Sequence, residues 1–453
     1  MAFSAKLTPS TLAITCVILL LGCIIMFKLK ADDSTKKSVL QKISVTNAIF
    51  NNIKADSPKK IIEVDTATDF SFLDKDIDNK SIVLLGEQQH GDGSTFKVKS
   101  GIIQYLHQKG FSVVLFESSF FETAKLWQNI KSGHQSSIDF SKAIYPFWGR
   151  SDQTQSIRTY ILKHSASAVP LEIAGIDYQI PYAFSQDPLV KELKAYLKHI
   201  TGYHESDFNS FWKSLENKNG PALLFNTPLQ KVINKDSCMR EIWQLHQLVS
   251  NKINKSRTDL VFEQYLYNIY HFYFAKITYR QSVRSQGLYR DSILFENVKW
   301  QLNNLHKGKK VVIWTANFHA AYPVDDEKPN NLGAHLKRFY KNQVYSILFT
   351  SLNGKTLNIG NYNTNKLNDA LPYTFESVLN NHGHHFTYVR CPQEENLRNS
   401  LVTMRFMGHN NVKDKWFQMM DSFIFIDSMK PATFLTTNLL KKCVMLGLNS
   451  YNR

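Results

Sequence analysis

The sequence predicts an α/β fold with a largely parallel central sheet, flanked by helices and carrying a helical subdomain. Three observations carry that prediction. Short runs rich in Ile, Val and Leu recur and each stops in polar residues: SIVLLG at 81–86, SVVLFE at 112–117, LEIAGID at 171–177 and KVVIWTANFH at 310–319. A run of four to eight apolar residues bounded by polar ones reads as a strand buried on both faces. Helical patterns separate the first runs at βαβ length, so neighbouring strands are expected to be parallel. Between residues 187 and 307 no clear strand appears, and stretches such as EQYLYNIYHFYFAKITYR at 263–280 read as a helical insertion.

Taken in order, the chain opens with an uncharged apolar run from Leu7 to Phe27, preceded by Lys6 and followed by Lys28 and Lys30. Its length matches a bilayer crossing of ~20 residues. Residues 1–30 are therefore expected to be a membrane anchor, contacting lipid through this segment. The string LLGC ending at Cys23 also resembles a lipoprotein cleavage box, and a lipid on Cys23 is the alternative. The lysines after the run would place the main domain inside by the positive-inside rule. The lipoprotein alternative places it outside, and the extracytoplasmic side is the one expected. Residues 31–60 are polar and lysine-rich and read as a tether. The α/β domain is expected over 61–430, with its helical insertion at 187–307 and a C-terminal tail at 431–453.

Within that domain Ser94 opens a helix with Phe96, Ile102, Ile103 and Leu106 on one face, and Gly110 stands where a helix end favours a left-handed residue. QVYSILFT at 343–350 and DSFIFID at 421–427 are further strand candidates.

Composition narrows the function. Hydrophobic residues make up 43% of the 453 and charged residues 20%, as in a folded chain with a sizeable core. The formal net charge of +16 is spread along the sequence. No RNP sequence, zinc-finger spacing or basic arm accompanies it, so no nucleic-acid partner is expected. Five cysteines (Cys16, Cys23, Cys238, Cys391 and Cys443) form no CxxC and are odd in number, which argues against a disulfide framework or thiolate metal site.

Ligands of open α/β sheets bind beyond the carboxyl ends of the strands. Here those ends carry Glu87 and His90, Glu117, Asp177, and Asn317 with His319. Two acids and two imidazoles on one rim suit water activation: a neutral imidazole takes the proton, and a carboxylate on its other nitrogen fixes the tautomer. A guanidinium or second imidazole can then stabilise an oxyanion. Arg290 and Arg284 are candidates for that role. Catalytic roles are thus expected for His90, Glu87, Glu117, His319 and Arg290, and substrate contacts for Asp177, Arg284, Asn317 and Trp148. No GxSxG or HExxH occurs, so neither a serine-nucleophile hydrolase nor a zincin is supported. His134, His164, His204, His246, His271 and the HGHH string with His382, His384 and His385 read as structural, and no metal or cofactor is expected.

LLGEQQHGDGSTFKVKSGIIQYLHQKGFSVVLFES resembles the opening signature of the erythromycin-esterase-like family, in which a strand leads into GE-x-x-HG, a helix follows and a second strand ends in Glu. AGIDYQ at 174–179, RDSILFENV at 290–298, VVIWTANFH at 311–319, LGAHLKRFY at 332–340 and FIFID at 423–427 resemble its later motifs in the same order. The resemblance implies a metal-independent hydrolase that opens macrolide lactones with activated water. His90 then matches the general base, Glu87 and Glu117 its carboxylate partners, and His319 and Arg290 the groups at the reacting carbonyl. Two departures stand out: Gln88 and Gln89 replace small residues and Thr, and Asp92-Gly93-Ser94-Thr95-Phe96 lacks a Glu that the macrolide enzymes often carry. The expected partner is a small-molecule ester, not necessarily a macrolide. Two other readings remain open: a haem- or ligand-binding surface protein, and a metal-dependent peptidase of the same superfamily.

Overall fold

A computed structural model describes residues 35–53, 61–63, 69–133, 137–179, 182–216, 235–279, 282–325 and 330–434. The strands among them are β1 (Ile61–Glu63), β2 (Ile82–Leu85), β3 (Phe111–Ser119), β4 (Glu172–Asp177), β5 (Lys310–Trp314), β6 (Val344–Leu357), β7 (Thr364–Lys366), β8 (Phe386–Arg390), β9 (Val402–Met404), β10 (Val412–Asp414) and β11 (Ser422–Met429). Among the described residues one sheet runs β1-β8-β11-β6-β2-β5-β3-β4, with β7 added to β6. Its centre, β11-β6-β2-β5-β3-β4, is parallel throughout. The edge strands β8 and β1 and the short β7 are antiparallel. β9 and β10 form a separate two-stranded ribbon.

The apolar runs are continuous because both faces of the sheet are covered. Val83, Leu85, Val114, Phe116, Val312 and Trp314 enter one core cluster, while Ile82, Leu84, Val113, Leu115, Val311 and Ile313 enter another. That is the period-2 alternation of a pleated strand with helices on each side. The helices used below are α1 (35–53), α2 (Gly93–Gln108), α3 (Phe120–Lys131), α4 (Gln155–His164), α5 (Tyr182–Leu197), α6 (Asn209–Glu216), α7 (Lys235–Ser250), α8 (Arg257–Thr278), α9 (Val283–Asn304), α10 (Asn317–Ala320), α11 (Leu332–Tyr340) and α12 (Phe375–Asn381). α2 covers the first face through Phe96, Ile102, Ile103 and Leu106. α9 and α11 cover the second through Leu294, Val298, Leu332 and Leu336. Helices α5 to α8 carry a third core of their own, the expected helical insertion.

The tether expectation needs correcting. Residues 35–53 form helix α1, docked on the α/β domain: Phe50 and Ile53 are fully buried, and Phe50 stacks on His382 at 4.4 Å. Apolar residues scattered through a lysine-rich segment supply the docking stripe, which average composition hides. The expected tail is also corrected at its start. Pro431 bridges to Asp92 in the loop after β2, and Phe434 to Ser151 just ahead of α4. The expected anchor at Leu7–Phe27 lies outside the described residues, and no described helix is long and apolar enough to cross a membrane.

Candidate active site

Strands β2, β5, β3 and β4 are consecutive neighbours in the sheet and run the same way. Glu87, Thr315, Glu117 and Asp177, at or near their ends, are therefore brought to one rim, although about 225 positions of sequence separate β2 from its sheet neighbour β5. The close approach has a steric condition. A Cβ at Gly86 would fall 2.2 Å from the Asn317 side-chain oxygen, so only glycine lets the two loops meet.

The first half of the rim is built around Glu87, which is fully buried. Its Oε1 accepts from His90 Nδ1 at 2.8 Å and from Trp148 Nε1 at 2.8 Å. Its Oε2 accepts from Lys99 Nζ at 2.7 Å. Lys99, on α2, is also fully buried and donates to the Thr315 carbonyl at 3.0 Å. Burial pulls its ammonium down to about 8, against the opposing pull of Glu87. With Nδ1 donating to a carboxylate, His90 keeps its proton there and presents Nε2 as the basic nitrogen. The ring lies flat against Phe147 at 4.8 Å and edge-on to Trp148 at 5.2 Å, with 28% of the side chain exposed.

The second half is a chain of charges. Glu117 Oε1 accepts from Arg290 Nη2 at 2.8 Å, and its Oε2 accepts from Thr315 Oγ1 at 2.5 Å and the Ala316 amide at 3.2 Å. Arg290 also donates to both oxygens of Asp177, the shortest bond being 2.6 Å. Tyr145 donates to Asp177 at 2.8 Å. His319 donates through Nδ1 to Asp291 at 2.6 Å and lies 3.3 Å from Glu117 through Nε2. Burial opposes the charge on His319, but Asp291 and Glu117 outweigh it and lift the imidazole to about 10. Burial likewise opposes the charge on Glu117, and His319 with Arg290 holds it well below the usual carboxylate range. His319 is thus an imidazolium at neutral pH with Nε2 donating to Glu117; its 3.4 Å approach to Arg290 Nη1 joins two donors and is not a hydrogen bond. Thr315 links the halves, accepting from Lys99 and donating to Glu117.

This charge chain has a measurable pH signature. His319 sits at about 10 in the fold against 6.5 ordinarily, so its contribution to stability is fully present below pH 6.5 and is lost as pH rises through 10. Lys99, lowered from 10.5 to about 8, works in the opposite sense above pH 8. Between pH 6.5 and 8 the wild-type protein is therefore expected to lose about 2 kcal/mol of unfolding free energy more than His319→Gln does, at about 1.4 kcal/mol per pH unit. Denaturant titrations at the two pH values check this; equal losses in the two proteins would refute the assignment of a charged His319.

Of the residues expected to be catalytic, Glu87 and His90 stand together, as do Glu117, Arg290 and His319. Those expected to touch substrate are placed differently. Trp148 is 1% exposed and holds Glu87 through its indole N–H. Asn317 is 1% exposed, and its amide bonds the backbone of Phe349 and Phe406. Asp177 is 1% exposed and orients Arg290. These three sit behind the reactive surface, where strand-end position alone could not separate them from front-line groups. Arg284 is exposed on α9, some one and a half turns ahead of Arg290, and the network just described does not include it. Sequence reasoning missed Lys99, Tyr145, Thr315 and Asp291. A signal for Lys99 existed: it lies three residues after Phe96 and four before Ile103, inside the apolar stripe of α2.

Among the described residues no group of three or more His, Cys, Asp or Glu side chains is arranged to hold a metal ion. The HGHH string is dispersed: His382 stacks on Phe50, and His385 pairs with Asp427 at 3.0 Å. Cys238 and Cys391 are buried free thiols.

The sequence profile of the family described as erythromycin esterase matches residues 106–429. The chain belongs to the erythromycin esterase family. The matched span holds Glu117, Asp177, Arg290, Asp291 and His319, and begins after Glu87 and His90. YbfO of Bacillus subtilis (strain 168), whose name assigns it provisionally to the hydrolases, is 23% identical over 323 residues, 66% of this chain and 71% of that protein. Membership of the esterase family and the name of this relative together place the chain among hydrolases. Solved structures share the fold. A Bacillus cereus protein aligns with a TM-score of 0.70 at 17% identity, over 86% of this chain and 99% of its own. A succinoglycan biosynthesis protein aligns at 0.67 and 17%, over 86% and 98%. A histidine-to-asparagine variant of the erythromycin esterase EreC, in its open conformation, aligns at 0.63 and 12%, over 83% and 100%.

Proposed function

We propose that the protein hydrolyses carboxylic esters or lactones with a water molecule activated by His90. One observation carries this reading: the His90 ring is partly exposed while its Nδ1 is pinned to a fully buried carboxylate, Glu87. Nε2 takes a proton from water as the oxygen attacks the carbonyl carbon. The imidazolium that forms is stabilised by Glu87, which Lys99 and Trp148 hold in place. Formally the rim carries four carboxylates (Glu87, Glu117, Asp177 and Asp291) against Lys99, Arg290 and the His319 imidazolium. A proton on His90 brings that sum to neutrality.

Arg290 and His319 supply positive charge for the tetrahedral oxyanion. Each shows 11% of its side chain, and each is held rigidly by carboxylates, which is the preorganisation that lowers a transition state without reorganisation at the moment of reaction. The proton on His90 then passes to the departing alkoxide, which leaves as an alcohol, or as the free hydroxyl end of an opened lactone.

The test is turnover of a panel of alkyl esters, aryl esters and lactones, macrolides among them, by the purified protein in the presence of EDTA. Ester turnover that survives the chelator is the expected result. Absence of turnover on every ester by folded protein, or its abolition by the chelator, would sink the reading.

The apolar run Leu7–Phe27 would tether this activity to a membrane as a single-pass anchor, with the domain on the extracytoplasmic side. α1 starts at residue 35 and is first buried at Thr46, so the seven residues between the run and α1, at most about 25 Å, and the exposed first turns of α1 set how far the domain stands from the bilayer. Release from membranes on deleting residues 7–27 is the expected outcome; retention would refute the tether.

A further inference from the structure

The two glutamines that depart from the family pattern, Gln88 and Gln89, have a structural use that the reaction above does not employ. Gln88 is buried and donates from its amide to the Arg405 carbonyl at 2.6 Å. Gln89 donates to the Gly408 carbonyl at 3.2 Å. From the other half of the rim, Asn317 donates to the Phe406 carbonyl at 2.8 Å. Three primary amides, two on the His90 loop and one two residues before His319, thus grip three carbonyls, of residues 405, 406 and 408, in one segment. That segment is the loop between β9 and β10, far from the strand ends in sequence.

The same loop returns a contact of its own. His409 is 1% exposed and lies 3.0 Å from the Asp92 carboxylate, with its other ring nitrogen 3.1 Å from Ser351 Oγ. Asp92 in turn accepts from the Gln89 backbone N–H at 2.9 Å and from Thr356 at 2.6 Å, closing the turn that carries His90. His409 holds a backbone φ of +60°, a left-handed conformation that a histidine adopts only when its surroundings over-determine it. Ser351, His409 and Asp92 have the order of a nucleophile triad, but all three are fully or almost fully enclosed, so the set acts on the loop and not on a substrate.

We infer that Gln88, Gln89 and Asn317 are positioning residues that register the His90 loop and the His319 loop against the β9–β10 loop as a common template. The inference rests on the reaction proposed above for its kinetic consequence, but not for its structural one. Residues 88 and 89 immediately precede His90, so releasing them frees the ring to leave Glu87.

The test is the double variant Gln88→Met, Gln89→Met, which keeps side-chain length and removes both donors. The Gln88 oxygen has no hydrogen-bond partner among the described residues, so methionine also removes an orphaned buried acceptor and the fold is expected to persist. Two readouts are taken. The first is the nitrogen chemical shifts of His90 by NMR, which report its tautomer. The wild-type ring is expected to hold Nδ1–H, and the variant to show tautomer mixing. The second is kcat on the best ester, expected to fall by roughly 10- to 30-fold, as for a misplaced catalytic group, with KM within about 3-fold. A merely structural role would lower thermal stability and leave the His90 shifts and kcat of the folded fraction unchanged, and that result overturns the inference. If the double variant does not fold, Gln89→Met alone, at a half-buried position, is read by the same criteria. If the wild-type protein hydrolyses no ester, the reaction reading fails, while the template is judged on the His90 shifts alone.

Discussion

Replacing His90 with alanine is expected to lower kcat on any ester the protein turns over by about 10²- to 10⁴-fold, the range of a lost general base. KM should change little, because the ring's one polar partner among the described residues is Glu87 and its exposed edge addresses water rather than the substrate body. The space left lies against Phe147 and Trp148, which flank the ring on two sides. Free imidazole fits that space and is expected to restore part of the rate. Stability should fall modestly, by about 1 kcal/mol, as the ring gives up its packing against Phe147 and Trp148 and its bond to Glu87. Steady-state kinetics with and without added imidazole decide the matter. An alanine variant keeping more than about a tenth of the wild-type rate would remove His90 from the mechanism.

Lys99→Met is expected to destabilise the fold by roughly 3–5 kcal/mol, the usual result of deleting one partner of a buried ion pair. Lys99 and Glu87 are both fully enclosed, and methionine fills the volume of the lysine stem without supplying a donor. The Glu87 Oε2 and the Thr315 carbonyl then lose their only described cationic partner. The Trp314 ring, 4.5 Å from the ammonium, loses a cation–π contact as well. Adding Glu87→Gln to the lysine variant removes the stranded charge and should recover part of the loss. A double-mutant cycle read from denaturant midpoints isolates this coupling. A single variant within about 1 kcal/mol of wild type would show that water reaches Glu87 and that the pair is not the keel of the site. The activity of folded Lys99→Met should also fall, because Glu87 then has less reason to hold His90 in one tautomer.

Much of this arrangement was readable before any coordinates. The strands β2, β3, β4 and β5 were legible because a sheet covered on both faces demands unbroken apolar runs, and a run of that kind survives inspection without context. Their termini named Glu87, His90, Glu117 and His319 because βαβ connections force parallel strands, and parallel strands put all their carboxyl ends on one rim. β8 was not legible, since FTYVR is short, half polar and preceded by the HGHH string. Helix α1 was hidden for a related reason: its docking residues Phe50 and Ile53 sit in a segment whose average composition is that of a solvated lead-in.

The amino-acid sequence by itself determined which residues could be chemical: alternation, run length and polar strand ends are local properties of the chain. Only the tertiary structure decided which of them are. Asn317, Asp177 and Trp148 look like reactive-surface groups in one dimension, and each turns inward because a carbonyl, a guanidinium or a carboxylate from a distant segment lies across from it. Lys99 looks like a solvated helix residue and becomes the counter-ion of Glu87, the carboxylate that holds His90. Asp291, unremarked in the linear sequence, lies against His319 and helps lift its imidazole to about 10. Hydrogen-bond partners and Coulomb energies depend on separations of a few ångströms between residues hundreds of positions apart, and the packing of the folded chain alone sets those separations.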